Sequence, residues 1–304
     1  MRTNGAEPQR FPESPARPEA PVRDAGAMEP RKVVSSPRVR SSCEGRVTVM
    51  SQQRLTADPN GDEERSGEPI ASPVGSEKLS AFLGSLQLGD SFFPSGLYTL
   101  SHGLEAFAQA DELGPATLEA LLVDHLRDGF GAADAVALAC AHRAIEEHDL
   151  DLAALADVRL TATKLPREAR ETSLRAGRQL LHIAGEIFGG EVLDVYAEYV
   201  RGNRAPGNHA VVLGLVMATQ GIPREMAIAG ELYALVSSCV AAAVRLALVD
   251  HVVAQVALHR LKPVIAEVAR ANRDKEVQDI ASCVPRIDVM AMRHERAEVR
   301  LFMS

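Results

Sequence analysis

The run Leu232–Val244 holds 13 residues without a charge and would be apolar on every side of a helix. A helix of that kind is stable only in the middle of other helices or in lipid. Arg245 ends the run, and 13 residues are too few to span a bilayer, so the chain is read as having no membrane segment. The rest of the pattern agrees with burial inside a helical body. Leu79, Phe82, Leu83 and Leu86 recur at helical spacing. Pro115, Pro166 and Pro223 each stand where a helix would start, and Gly189-Gly190 and Gly221 where one would stop. Asp149 is placed to cap a helix carrying Leu152, Leu155 and Leu160, and Glu191 to Arg201 forms a further helix. A helix is expected from near Leu97 to about Ala110, and Pro263 should interrupt the last long helix or begin a new one. No stretch alternates with period two, and aromatic residues make up 4% with no Trp. The expected fold is all-α: one multi-helix bundle of about eight to ten helices.

Residues 1–78 differ in kind. They hold 10 of the 17 prolines and carry 12 basic and 12 acidic residues, so the net charge of -8 lies wholly in residues 79–304. With few large apolar side chains, this Pro-, Arg- and Glu-rich extension cannot offset its ordering entropy by burial and is expected to be disordered. No apolar core of a signal peptide follows its first charges. The acidic balance of the body argues against nucleic acid as a partner. Cys43, Cys140, Cys239 and Cys283 lie far apart with no CxxC pair, which fits neither a zinc site nor a disulfide framework and suits a reducing cytoplasm.

Motifs that hold a nucleotide, a catalytic nucleophile or a metal are missing: no P-loop, no dinucleotide fingerprint, no nucleophile elbow, no HExxH and no EF-hand loop. His102 with Glu105 and His182 with Glu186 share helix faces, but each pair supplies only two ligands and reads as a hydrogen-bonded pair. His251 and His259 read as core or interface histidines, and Cys239 as packing in the apolar helix.

Two stretches stand out. Gln87–Gly96 crowds two Phe, a Pro and two Gly between helices and is followed by Ser101-His102-Gly103-Leu104-Glu105. A glycine within a helix costs about 1 kcal/mol relative to Ala, so Gly103 implies close backbone packing. The stretch is either a tight helix crossing, with Ser91 or Ser95 as a cap, or a recognition surface. The second stretch is the C-terminus, Pro285 to Ser304, whose Val289, Met290, Met292 and final Leu301-Phe302-Met303 are apolar where chain ends are usually polar. It is built to dock, on its own body or on a partner.

Together these stretches resemble the urease accessory protein UreF family. The opening motif of that family is matched at Leu86-Gln87-Leu88, Asp90-Ser91, Pro94, Gly96, Ser101, Gly103, Leu104 and Glu105. Its closing motif is matched at Asp288-Val289, Met292-Arg293-His294-Glu295, Arg300-Leu301-Phe302 and Ser304. Between them, Gly177-Arg178-Gln179-Leu180-Leu181 and Val244-Arg245-Leu246 fit the same layout, whereas Ala247-Leu248-Val249-Asp250-His251 replaces a Gly-Gln pair common in the family. The resemblance covers residues 79–304, with a docking tail at 285–304. It implies a cytoplasmic, all-α, dimerising protein without catalysis, which bridges UreD (also called UreH) and the GTPase UreG while the nickel centre of the urease apoprotein is assembled. Nickel and GTP would be handled by those partners, with no cofactor on this chain. It implies that Arg293, His294, Glu295, Arg300, Leu301, Phe302 and Ser304 face UreD, and that Asp90, Ser91, Pro94, Gly96, Ser101, Gly103 and Glu105 lie at or near a structural or partner surface. Two alternatives stand beside it: a regulator of the UreG GTPase, with Arg178 or Arg204 among the candidate arginine fingers, and an unrelated all-α ligand-binding regulator.

Overall fold

A computed structural model of the chain describes residues 75–94 and 100–297. Among them are eleven α-helices and no strand. In chain order these are α1 (Ser76–Gly89), α2 (Leu104–Gln109), α3 (Pro115–Asp124), α4 (Asp134–Glu146), α5 (Leu150–Thr163), α6 (Arg167–Phe188), α7 (Glu191–Arg201), α8 (His209–Thr219), α9 (Arg224–Arg245), α10 (His251–Asn272) and α11 (Pro285–His294). A π-helical turn, His125–Gly129, continues α3. The expected disorder of residues 1–78 falls almost wholly outside the described residues.

The core is set by the helices that lack a polar side. Every residue of α8 from His209 to Met217 is buried, as is every residue of α4 from Asp134 to Ala144. A helix covered on all sides must be surrounded, and α4 packs on α5, α8 and α9, α8 on α6, and α9 on α10. The α4–α8 crossing is close because Gly214 has no side chain: a Cβ there would stand 2.5 Å from the Leu138 carbonyl oxygen. By length and composition alone α9 could cross a membrane, which the charge-free run taken by itself did not indicate. In the fold its Ile228, Leu232, Val236 and Cys239 are interior side chains of the bundle. Burying each such aliphatic side chain contributes about 1.5–3 kcal/mol.

The punctuation reads as expected at most boundaries. Pro115 opens α3, Asp149 caps α5 by accepting from the backbone N–H groups of Asp151 and Leu152, and α6 ends at Gly189. Two expectations are corrected. The helix expected from Leu97 begins only at Leu104, because His102 (φ 50°) and Gly103 (φ 82°) take left-handed conformations just before it. Gly103 is therefore a helix entrance rather than a helix interior. Pro263 lies inside an unbroken α10. It sits on the exposed side, as does His259 one turn earlier, so the carbonyl that loses its helical donor faces water. The segment that departs from the family pattern is the α9–α10 turn, where Asp250 caps α10 by accepting from the Val253 N–H at 2.8 Å.

A buried carboxylate ties the α7–α8 loop to α5. Asp157 is fully buried and accepts from the Tyr196 hydroxyl (2.8 Å), the Asn208 N–H (2.9 Å), the Asn208 side-chain amide (2.7 Å) and the Gly207 N–H (2.6 Å). Burial raises its carboxyl above the usual range despite these donors. The same loop lies directly against α6, where Gly177 leaves room for the Gly207 carbonyl and the Asn208–His209 backbone.

Candidate functional site

The two terminal motifs meet. α11 lies across α2 and α6, with the Ala291 backbone against Gly103, where an added Cβ would stand 3.6 Å from the Ala291 side chain. His294 is wholly buried at the end of α11. Its Nε2 is 2.9 Å from Glu105 Oε2 on α2, and its Nδ1 is 3.4 Å from Glu168 Oε2 on α6. The ring thus bridges two carboxylates from two other helices and clasps α11 to both. Glu295 adds to it by accepting from the Glu168 backbone N–H at 3.0 Å and pairing with Arg167 at 3.8 Å. At the other end of α11, Arg286 donates to Glu112 at 2.8 Å and lies over the Phe107 ring. The outer side of α11 shows Val289, Met292 and Arg293 to solvent.

This geometry divides the expected site residues. Arg293, Asp90, Ser91 and Pro94 are exposed, and Glu295 is half-buried. His294, Glu105, Ser101 and Gly103 are buried inside the chain, His294 against Glu105 and Glu168. His294 with Glu105, and Gly103 under Ala291, hold α11 to α2. Gly96, Arg300, Leu301, Phe302 and Ser304 lie outside the described residues. The turn after α1 is closed by Asp90, whose Oδ1 accepts from the Phe92 N–H at 2.8 Å; Ser95, one of the two expected caps, lies outside the described residues. It buries Phe93 and leaves Phe92 93% exposed.

Glu105 reaches His294 instead of His102. His182, expected to pair with Glu186, and His251 and His259, expected in the core or at an interface, are exposed in the chain. Among the described residues no group of three or more His, Cys, Asp or Glu could hold a metal ion. Cys239 is buried as expected, and burial pushes its thiol up to about 12.

Behind the meeting point lies a cavity of about 270 Å³, walled by both motifs (Asp90, His102 and Gly103 from one, Asp288 and Ala291 from the other) and by α8 and α9. Its inner charges are paired internally, while the carboxylates of Asp90 and Asp288 also border it. Lys164 donates to both oxygens of Asp134 at 2.7 and 2.8 Å, and His209 Nδ1 is 3.2 Å from Glu231 Oε1. Burial alone would raise the Glu231 carboxyl, yet the charge and hydrogen bond of His209, with Lys164 further off, hold it below the usual carboxylate range. His102 and His125 are different. Burial, with the Lys164 charge, lowers His102 to about 4. Burial, with His102 and Lys164 nearby, lowers His125 to about 3. His102 Nε2, both nitrogens of His125 and the Ser237 hydroxyl have no hydrogen-bond partner. The two rings flank Phe130, His125 stacked at 4.6 Å and His102 edge-on at 5.5 Å. Nothing in the sequence pattern pointed to His125; its one trace is Gly129, where a Cβ would stand 2.8 Å from the ring.

The fold and the site thus define an all-α bundle in which two sequence motifs from distant parts of the chain pack α11 across α2 and α6. Residues 113–262, from before α3 to within α10, match the UreF family model. The chain is 33% identical over 229 residues to the urease accessory protein UreF of Trichodesmium erythraeum, an alignment covering 74% of this chain and 98% of that protein. It is 29% identical over 227 residues to urease accessory protein UreF 2 of Brucella canis (74% of this chain, 93% of that protein). It is also 29% identical over 220 residues to UreF of Yersinia pseudotuberculosis serotype IB (72% and 96%). The chain belongs to the UreF family of urease accessory proteins.

Proposed function

We propose that this chain is a non-catalytic scaffold for urease maturation, bridging UreD and UreG while nickel is inserted into the urease apoprotein. The observation that carries the reading is the His294–Glu105–Glu168 clasp, which fixes a terminal helix so that Val289, Met292 and Arg293 stand together on its outer side. Apolar residues ringed by arginine are the composition of a protein-binding face. The exposed Phe92 is a second anchor of the same type. On this reading UreD takes the α11 face and the tail beyond it, the protein acts as a homodimer in the cytoplasm, and nickel and GTP stay with the partners. GTP-dependent changes in UreG then reach UreD as a coupling free energy between two binding surfaces, with no chemistry on this chain. Deleting residues 300–304 should abolish co-purification with UreD while helicity is kept; capture at full strength by the truncated chain would refute the tail assignment.

A regulator of the UreG GTPase through an arginine finger draws less support. Arg178 donates to the Pro206 carbonyl at 3.3 Å, and Arg204 pairs with Asp151 at 2.8 Å while its guanidinium covers Tyr199. Both are already engaged by their own chain. UreG turnover measured with and without this protein distinguishes the two readings, an unchanged rate favouring the scaffold.

A further inference from the structure

We propose that the cavity behind α11 is a binding site for a small, neutral, planar molecule that carries both a hydrogen-bond donor and an acceptor, such as a carboxamide or an uncharged nitrogen heterocycle. The inference is independent of the urease reading. Four buried polar atoms, His102 Nε2, His125 Nδ1 and Nε2 and Ser237 Oγ, have no partner, and all three residues line the same space of about 270 Å³. Buried polar groups are nearly always satisfied, and each one left alone is destabilising, so a cluster of them around one void marks a place where something else completes the bonds.

The chemistry of the walls selects the occupant. A neutral imidazole offers one donor and one acceptor, and a serine hydroxyl offers both, so the unpartnered set matches a ligand that also offers both. The charges inside the cavity are matched, Lys164 with Asp134 and Glu231 with His209, so a charged ligand seated beside His102 and His125 would meet no free counter-ion there; the carboxylates of Asp90 and Asp288 stand at the mouth and disfavour an anion. Burial keeps both unpartnered imidazoles uncharged at neutral pH, in agreement with a neutral occupant. The Phe130 ring between them supplies an aromatic surface that favours a flat molecule. The exposed lining residues Asp90 and Ser91, with half-buried Asp288, place the mouth between the α1–α2 turn and α11. Both family motifs therefore border the route in.

The test uses the full chain with benzamide and 2-pyridone as probes. Saturable shifts of the His102 and His125 ring nitrogens in NMR, at millimolar probe or below, are the expected result. His125→Leu should weaken binding about tenfold or more, the effect of removing one well-placed hydrogen-bonding group from a dry site. The milder Ser237→Ala should weaken it several-fold and keeps the test alive if the first variant fails to fold. No saturable response to either probe, or affinity unchanged in the folded variants, overturns the proposal and leaves the cavity to water.

Discussion

The two neutral histidines make a quantitative demand on acid stability. In the unfolded chain both titrate near 6.5, whereas in the folded chain they take up a proton only at about 4 (His102) and about 3 (His125). Between those limits the unfolded state binds protons that the folded state refuses. Stability from this source is fully present above 6.5 and is lost as pH falls through the window. From pH 7 to pH 5 an ordinary imidazole becomes almost fully charged, which amounts to about 2 kcal/mol per ring at 1.36 kcal/mol for each tenfold change. The pair together costs about 3–4 kcal/mol, the His102 charge itself being one cause of the lowering at His125. Burial-raised Asp157 acts in the opposite direction, since its folded carboxyl holds a proton more tightly, but it does so equally in any variant that leaves it in place. Urea unfolding of wild type and His125→Leu at both pH values isolates the effect. The variant should lose about 2 kcal/mol less than wild type between pH 7 and pH 5. At neutral pH it should be at least as stable, because it no longer buries two unpartnered nitrogens. Equal acid losses in the two proteins would show that His125 is solvated or paired, and the reasoning about the cavity would fail with it.

Three further outcomes follow from the packing. Gly177→Ala drives a methyl into the Gly207 carbonyl and should lower unfolding free energy by about 2–3 kcal/mol in urea titration. Asp157→Ala strands the Tyr196 hydroxyl and the Gly207 and Asn208 N–H groups, and should cost about 3 kcal/mol or more, with the Arg201–His209 loop becoming the first region to exchange amide hydrogens. His294→Ala removes the side chain that bridges Glu105 and Glu168 and should weaken α11 docking by about 1–3 kcal/mol; hydrogen exchange should show α11 opening while α4 and α8 stay protected.

The helix boundaries were legible where glycine, proline and capping residues act locally. Pro115, Asp149, Gly189 and the Glu191–Arg201 helix all fall where their local preferences put them. The misreadings share a cause. Gly103 and Pro263 were weighed by their average effect on a helix, but what matters is which side of the chain each one faces. Gly103 adopts a left-handed turn under Ala291, and Pro263 leaves its orphaned carbonyl in water. The site was legible only in outline. The resemblance singled out Glu105 and His294, yet no periodicity connects residues 189 positions apart, and only the fold shows that they bond to each other. His125 and Lys164 carry no motif at all, because their role comes from burial and neighbours contributed by distant helices.

The central claim is that the α11 face binds another protein, and a capture assay with purified UreD tests it most directly. Val289 and Met292 point away from the core, so changing both to Asp should leave the circular dichroism spectrum and melting temperature intact. Wild-type chain is expected to capture UreD and the Val289→Asp/Met292→Asp variant to lose it. Capture of UreD by the folded variant at wild-type strength would contradict the account.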